Sequence, residues 1–155
     1  MRKTTLIYSA AAMLIAGAIG VSAQQKTATA AKPVAVVYKT SSCGCCKLWV
    51  EHLKANGFTV ETKDVSSDDV RAVSKAAGLK DDDSSCHTAK IGGFIVEGHV
   101  PASDIQRMLK EKPAIAGIAA PGMPQGSPGM EQGSKEPFDV VAFTKDGKTK
   151  LYSKH

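Results

Sequence analysis

Thr40-Ser41-Ser42-Cys43-Gly44-Cys45-Cys46-Lys47 holds three of the chain's four cysteines within four residues. It follows Val34-Ala35-Val36-Val37-Tyr38, a short apolar run of the kind that forms a buried strand, and precedes a helical pattern that begins near Lys47. The thiols therefore fall at a strand-to-helix turn. Free N–H groups and the positive end of the helix dipole meet there, which lowers a cysteine pKa and favours the thiolate. Cys43-x-x-Cys46 at the end of a first strand has the spacing and the place of a thioredoxin-type motif, and this sets the expectation for the whole fold.

Cys45 sits badly in a simple redox pair, because a third thiol between an attacking and a resolving cysteine competes for the mixed disulfide. Three soft donors this close suit a soft metal, Cu(I) above all. The plain alternative is one structural disulfide and a spare cysteine. A bridge between the neighbours Cys45 and Cys46 is disfavoured by the geometry of so small a ring.

Downstream, Trp49, Val50 and Leu53 share a helical face that Gly57 closes. Phe58 to Val65 alternates apolar and polar residues, which predicts a half-buried strand. Ser66 and Ser67 open a second helix, with Val70, Val73 and Ala77 at helical spacing and Gly78 at its end. A polar approach, Lys80 to Ser85, delivers Cys86-His87 to a short strand, Thr88 to Ile91. Gly92-Gly93 then turns the chain into a returning strand, Phe94 to Glu97. A third helix starting at Ala102 or Ser103 places Ile105, Met108 and Leu109 on one face. The order β-α-β-α-β-β-α over residues 34–112 predicts an α/β domain of thioredoxin-like type. Residues 113–137 read as a long Pro/Gly/Met loop with a near-repeat, Pro121-Gly122-Met123 and Pro128-Gly129-Met130, whose thioethers are candidate extra soft ligands. Residues 138–155 read as a β-hairpin around Asp146-Gly147, followed by a tail.

Upstream, Arg2 and Lys3, an apolar stretch from Leu6 to Val21, and Val21-Ser22-Ala23 make residues 1–23 an export signal cut after Ala23, with 24–33 a flexible leader. The competing reading, a retained membrane anchor, is weakened by Ser9, Gly17 and Gly20 and by the shortness of the run. Export places the mature protein in the periplasm of a Gram-negative bacterium or outside the cell, where unprotected thiols oxidise, so its cysteines pair or hold something. Loss of Arg2 and Lys3 lowers the formal net charge from +5 to +3. With no basic block and no interleaved aromatics, nucleic acid is not an expected partner.

Four blocks in order carry a resemblance. They are Cys43-Gly44-Cys45-Cys46 after Tyr38-Lys39, Ser85-Cys86-His87-Thr88-Ala89, Glu97-Gly98-His99-Val100-Pro101-Ala102, and Pro121-Gly122-Met123-Pro124 with Gly126-Ser127-Pro128-Gly129-Met130. Together they resemble the CopG-type family of exported copper-resistance proteins, long catalogued as a domain of unknown function. The resemblance implies a thioredoxin-like fold whose thiols hold copper, a place among periplasmic copper-handling proteins as partners, and a redox role.

From the residues themselves, Cys43, Cys45, Cys46 and Cys86 are the candidate metal ligands, with His87 beside them. Zinc is the alternative metal, since four thiols can close a tetrahedral site. Adjacent Cys45 and Cys46 strain a single tetrahedral ion yet can bridge several ions, which favours a multi-copper Cu(I) thiolate cluster. His52 lies nearly two helical turns beyond Cys46 and reads as a groove or surface residue. His99 can approach from a facing loop, and His155 is expected to fray at the chain end. Two functional classes result. One is a copper-binding protein of copper resistance, with metal binding weighed above turnover; the other is a thiol–disulfide oxidoreductase using Cys43 and Cys46.

Overall fold

In the computed structural model, which describes residues 32–155, Val34–Lys39 forms strand β1 with Ala35, Val37 and Lys39 turned into the protein. Strand β2, Thr59–Asp64, runs parallel to it on one side, and β3, His87–Ile91, antiparallel on the other. Helix α1, Gly44–Ala55, and helix α2, Ser67–Lys75, make the two crossovers, and one short 3-10 turn, Asp81–Asp83, precedes β3. Gly92 and Gly93, both at positive φ, turn β3 into β4, Phe94–Gly98, and helix α3, Ala102–Glu111, follows. The expected order β-α-β-α-β-β-α is therefore present.

Three further strands, β5 at Gly117–Ala120, β6 at Asp139–Phe143 and β7 at Thr149–Lys154, extend the same sheet to seven, in the order β2-β1-β3-β4-β5-β6-β7. Neighbouring residues of one strand serve opposite faces, as the pleat requires. Val96, Ile118 and Ala142 join Trp49 and Leu53 of α1 and Ile105 and Met108 of α3 in the larger core, while Ile95, Ala119 and Phe143 pack with Leu79 in a smaller one. Ser66 caps α2 by accepting the Asp69 N–H at 3.2 Å, as its position predicts.

Four expectations change. Helix α1 begins at Gly44 rather than near Lys47, because Cys43 itself is its N-cap. Strand β2 is a polar sheet edge with only Val60 partly buried, not a half-buried strand, and its charges suit an edge that must not pair further. Gly117–Ala120 lies inside the stretch read as loop yet is a buried strand between β4 and β6. His155 is not frayed: its Nε2 meets the buried Asp104 carboxylate at 2.7 Å, its ring stacks on Phe138, and its backbone pairs with Phe138. The export signal, 1–23, and nearly all of the leader, 24–33, lie outside the described residues, among which no helix is long and apolar enough to cross a membrane.

Candidate metal centre

Cys43 ends the turn after β1 with extended backbone, and its Sγ accepts the Cys46 N–H at 3.2 Å. A cysteine sulfur thus fills the role usually taken by Ser or Asp, and Cys45 and Cys46 ride on the first helical turn, beside the positive end of the α1 dipole. Cys46 is buried, whereas Cys43 and Cys45 are partly exposed. Cys86 arrives from the other side. The antiparallel pairing of β1 with β3 sets Lys39 opposite His87, so the start of β3 lies next to the exit of β1.

The Cys86 Sγ consequently lies 3.3 Å from that of Cys43, 3.2 Å from Cys46 and 3.8 Å from Cys45, and Cys43 and Cys45 are 3.6 Å apart. Cys43 and Cys46 are joined as a disulfide, leaving Cys45 and Cys86 as free thiols. Two sulfurs bound at about 2.3 Å to one tetrahedral ion stand roughly 3.8 Å apart, so the spacing of the two free thiols, Cys45 and Cys86, already suits thiolate coordination. All four sulfurs lie within 4.8 Å of one another. Burial, then the neighbouring Cys45, pushes the Cys86 thiol up to about 11. A metal bound there must displace a proton.

Around this sulfur group the polar atoms are arranged with care for orientation. Ser85 N–H donates to the Glu97 Oε1 at 2.6 Å, fixing the residue before Cys86 to strand β4. Glu97 is fully buried, and burial raises its pKa to about 7 against the pull of that N–H. His87 is fully buried. Its Nε2 lies 3.0 Å from the Gly98 carbonyl oxygen, which can only accept, so Nε2 carries the proton and Nδ1, 3.8 Å from the Cys86 Sγ, is the free nitrogen. Burial, then His99, lowers its pKa to about 3, so His87 stays neutral.

His99 approaches from the turn after β4, the facing loop from which its sequence position lets it reach the sulfurs. Gly98 ends β4 with φ +70°, and His99 turns inward until its ring meets His87 edge-on with centroids 4.8 Å apart. Its Nδ1 donates to the Pro128 carbonyl oxygen at 2.8 Å, and its Nε2 is buried without a hydrogen-bond partner among the described residues. Burial lowers its pKa as well. The sequence signal for this placement is a histidine directly after a strand-ending glycine, on the strand next to β3.

His52 stays apart from the sulfurs, accepting the Ala102 N–H at 3.0 Å at the start of α3. The near-repeat, in contrast, is drawn in. Met123 Sδ lies 3.8 Å from the Cys86 Sγ, and Met130 lines a groove with Cys45 and Leu48.

Residues 84–130 match a protein family described as of unknown function, DUF411. Two solved forms of a copper resistance protein, copG, are similar over most of the chain. Form 2 is 42% identical with a TM-score of 0.72 and form 1 is 41% identical with a TM-score of 0.73, each covering 80% of this chain and 98% of the other. No protein with a curated description matches significantly.

Proposed function

Because the chain belongs to the CopG family of copper resistance proteins, we propose that it binds Cu(I) through Cys43, Cys45, Cys46 and Cys86, with His87 at the margin of the site. The observation that carries this reading is the position of Cys86. Forty residues beyond the triplet, its sulfur stands within 3.2–3.8 Å of all three others, which a CxxC redox pair does not need. Thiolates select soft ions, and the adjacent Cys45 and Cys46 favour sulfurs shared between ions, so more than one copper is held per chain. Binding requires Cys43 and Cys46 as thiols, which makes loading depend on redox state. The setting is the periplasm, reached by the export signal, and the partners are copper ions and other periplasmic copper-handling proteins.

The test is anaerobic titration of the reduced protein against a Cu(I) chelator of known affinity. The expected endpoint exceeds one Cu(I) per chain; a one-to-one endpoint, or tighter binding of zinc, contradicts the cluster. A second reading is favoured by the Cys43–Cys46 bond itself, a thiol–disulfide oxidoreductase. Metal-free reduced protein is expected to reduce insulin disulfides slowly, because Cys45 competes for the mixed disulfide. Thioredoxin-like rates, unchanged in Cys45→Ala, favour the oxidoreductase instead.

A further inference from the structure

Joining Cys43 to Cys46 removes two of the four sulfurs from coordination, yet it leaves a different donor set untouched. One donor atom from each of Cys86, His87 and His99 lies within 4.8 Å of the others. We infer that these three residues form a second metal site, of mixed sulfur and nitrogen donors, which takes one divalent first-row ion while the disulfide is in place.

Both imidazoles are prepared as ligands rather than as packing. A metal-bound histidine characteristically donates its other ring N–H to a carbonyl or carboxylate, which fixes tautomer and ring orientation. His87 does so through Nε2 to Gly98 and His99 through Nδ1 to Pro128, so that Nδ1 of the first and Nε2 of the second keep their lone pairs. The His99 lone pair is the telling one. It is buried with no partner among the described residues, a cost that a structural histidine would avoid. The support is rigid, because Gly129, next to Pro128, leaves no room for a Cβ against the backbone of Cys45 and Trp49.

The two donor sets differ in the ion they prefer. Four thiolates suit Cu(I), whereas two imidazoles with one thiolate suit divalent ions, among which Cu(II) binds most tightly by the Irving–Williams order. Cys45 and Met123, each with its sulfur 3.8 Å from the Cys86 Sγ, are the nearest further donors for a fourth position. The inference does not depend on the Cu(I) reading, since that one concerns the reduced protein and this one the disulfide form.

The test uses the full chain with the Cys43–Cys46 bond intact and Co(II) alone as probe, because Cu(II) would oxidise the free thiols. Trp49 is the chain's only tryptophan, and its ring lies 4.5 Å from that of His87, so a paramagnetic ion there quenches its fluorescence. The expected results are quenching complete at one equivalent, a sulfur-to-cobalt charge-transfer band, and two paramagnetically shifted imidazole N–H resonances. His99→Asn can still donate to Pro128 but lacks the second nitrogen; it is expected to weaken Co(II) binding by about tenfold or more while leaving the Cu(I) endpoint of the reduced protein unchanged. Absence of Co(II) binding, quenching unaltered in His99→Asn, or fewer than two shifted imidazole N–H resonances in the parent overturns the site. The resonance count needs no variant, so it decides the matter even if His99→Asn fails to fold.

Discussion

Glu97 is a fully buried carboxyl group placed one strand away from Cys86, and it holds the chain there by accepting the Ser85 N–H. Its pKa, raised by burial to about 7, makes it a pH-dependent contributor to stability. In the folded chain it keeps its proton to about pH 7, while in the unfolded chain it loses it near the ordinary carboxyl value, so stability falls as pH rises through that window and levels off above it. His87, held neutral down to about pH 3, acts in the opposite direction, since acidification below the ordinary histidine value protonates only the unfolded chain. Comparison with Glu97→Gln cancels the histidine contribution because both proteins carry it. Urea denaturation of the metal-free proteins across pH 4–8 is expected to show the variant gaining on the parent with rising pH, by on the order of 3 kcal/mol at most, with no further gain above pH 7. A difference that stays flat with pH would mean that Glu97 titrates as an exposed carboxylate does.

At the scale of elements, the segment from Pro121 to Met130 shows what the sequence could not give. Its order comes from backbone bonds within itself, such as Gly126 N–H to the Met130 carbonyl and Met130 N–H to that of Ser127, and from the His99–Pro128 bond. None of these leaves a periodic pattern. Strand β5 was hidden for a related reason: Gly-Ile-Ala-Ala is covered on both faces, so nothing alternates along it. By contrast, α1, α2, the Gly92-Gly93 turn and the terminal hairpin each have a polar side or a turn residue, and all were legible. The β1–β3 pairing brings Cys86 to the triplet, whereas the inward turn of His99 depends on the positive φ of Gly98, which leaves no periodic pattern. Gly129 gives this segment a direct test. Its φ of +86° disfavours any side chain, and a Cβ there meets the Cys45 O and Trp49 N at 2.9 Å. At Gly122 φ is +76° but nothing lies within 4 Å. Gly122→Ala is therefore expected to cost about 1–2 kcal/mol for backbone strain alone. Gly129→Ala should cost more and free the loop, read as a lower melting temperature and faster proteolysis between residues 121 and 137. Equal effects of the two substitutions would show that the loop is not seated on α1.

Across the whole molecule, one sheet with helices on both faces brings together two chain segments that share no sequence neighbourhood. Its far end is closed by the C-terminal hairpin, where Asp104 of α3 accepts from Ser153 and His155. Within the sheet, beside the β2 edge, the antiparallel pairing of β1 with β3 fixes the separation between the first turn of α1 and Cys86. In the proposed copper site, thiolates come from both sides of this junction. His52 provides the control, because it binds the Ala102 N–H and takes no part among the sulfurs. His52→Ala is expected to lower stability by about 1–2 kcal/mol through the unsatisfied N–H and to keep the copper content. The most direct measurement is the Cu(I) stoichiometry of Cys86→Ser, taken anaerobically on the reduced full chain beside the parent and His52→Ala. Only Cys86→Ser is expected to bind fewer Cu(I) ions per chain than the parent; unchanged stoichiometry and affinity in Cys86→Ser would confine the site to the Cys43–Cys46 turn and rule out a two-sided cluster.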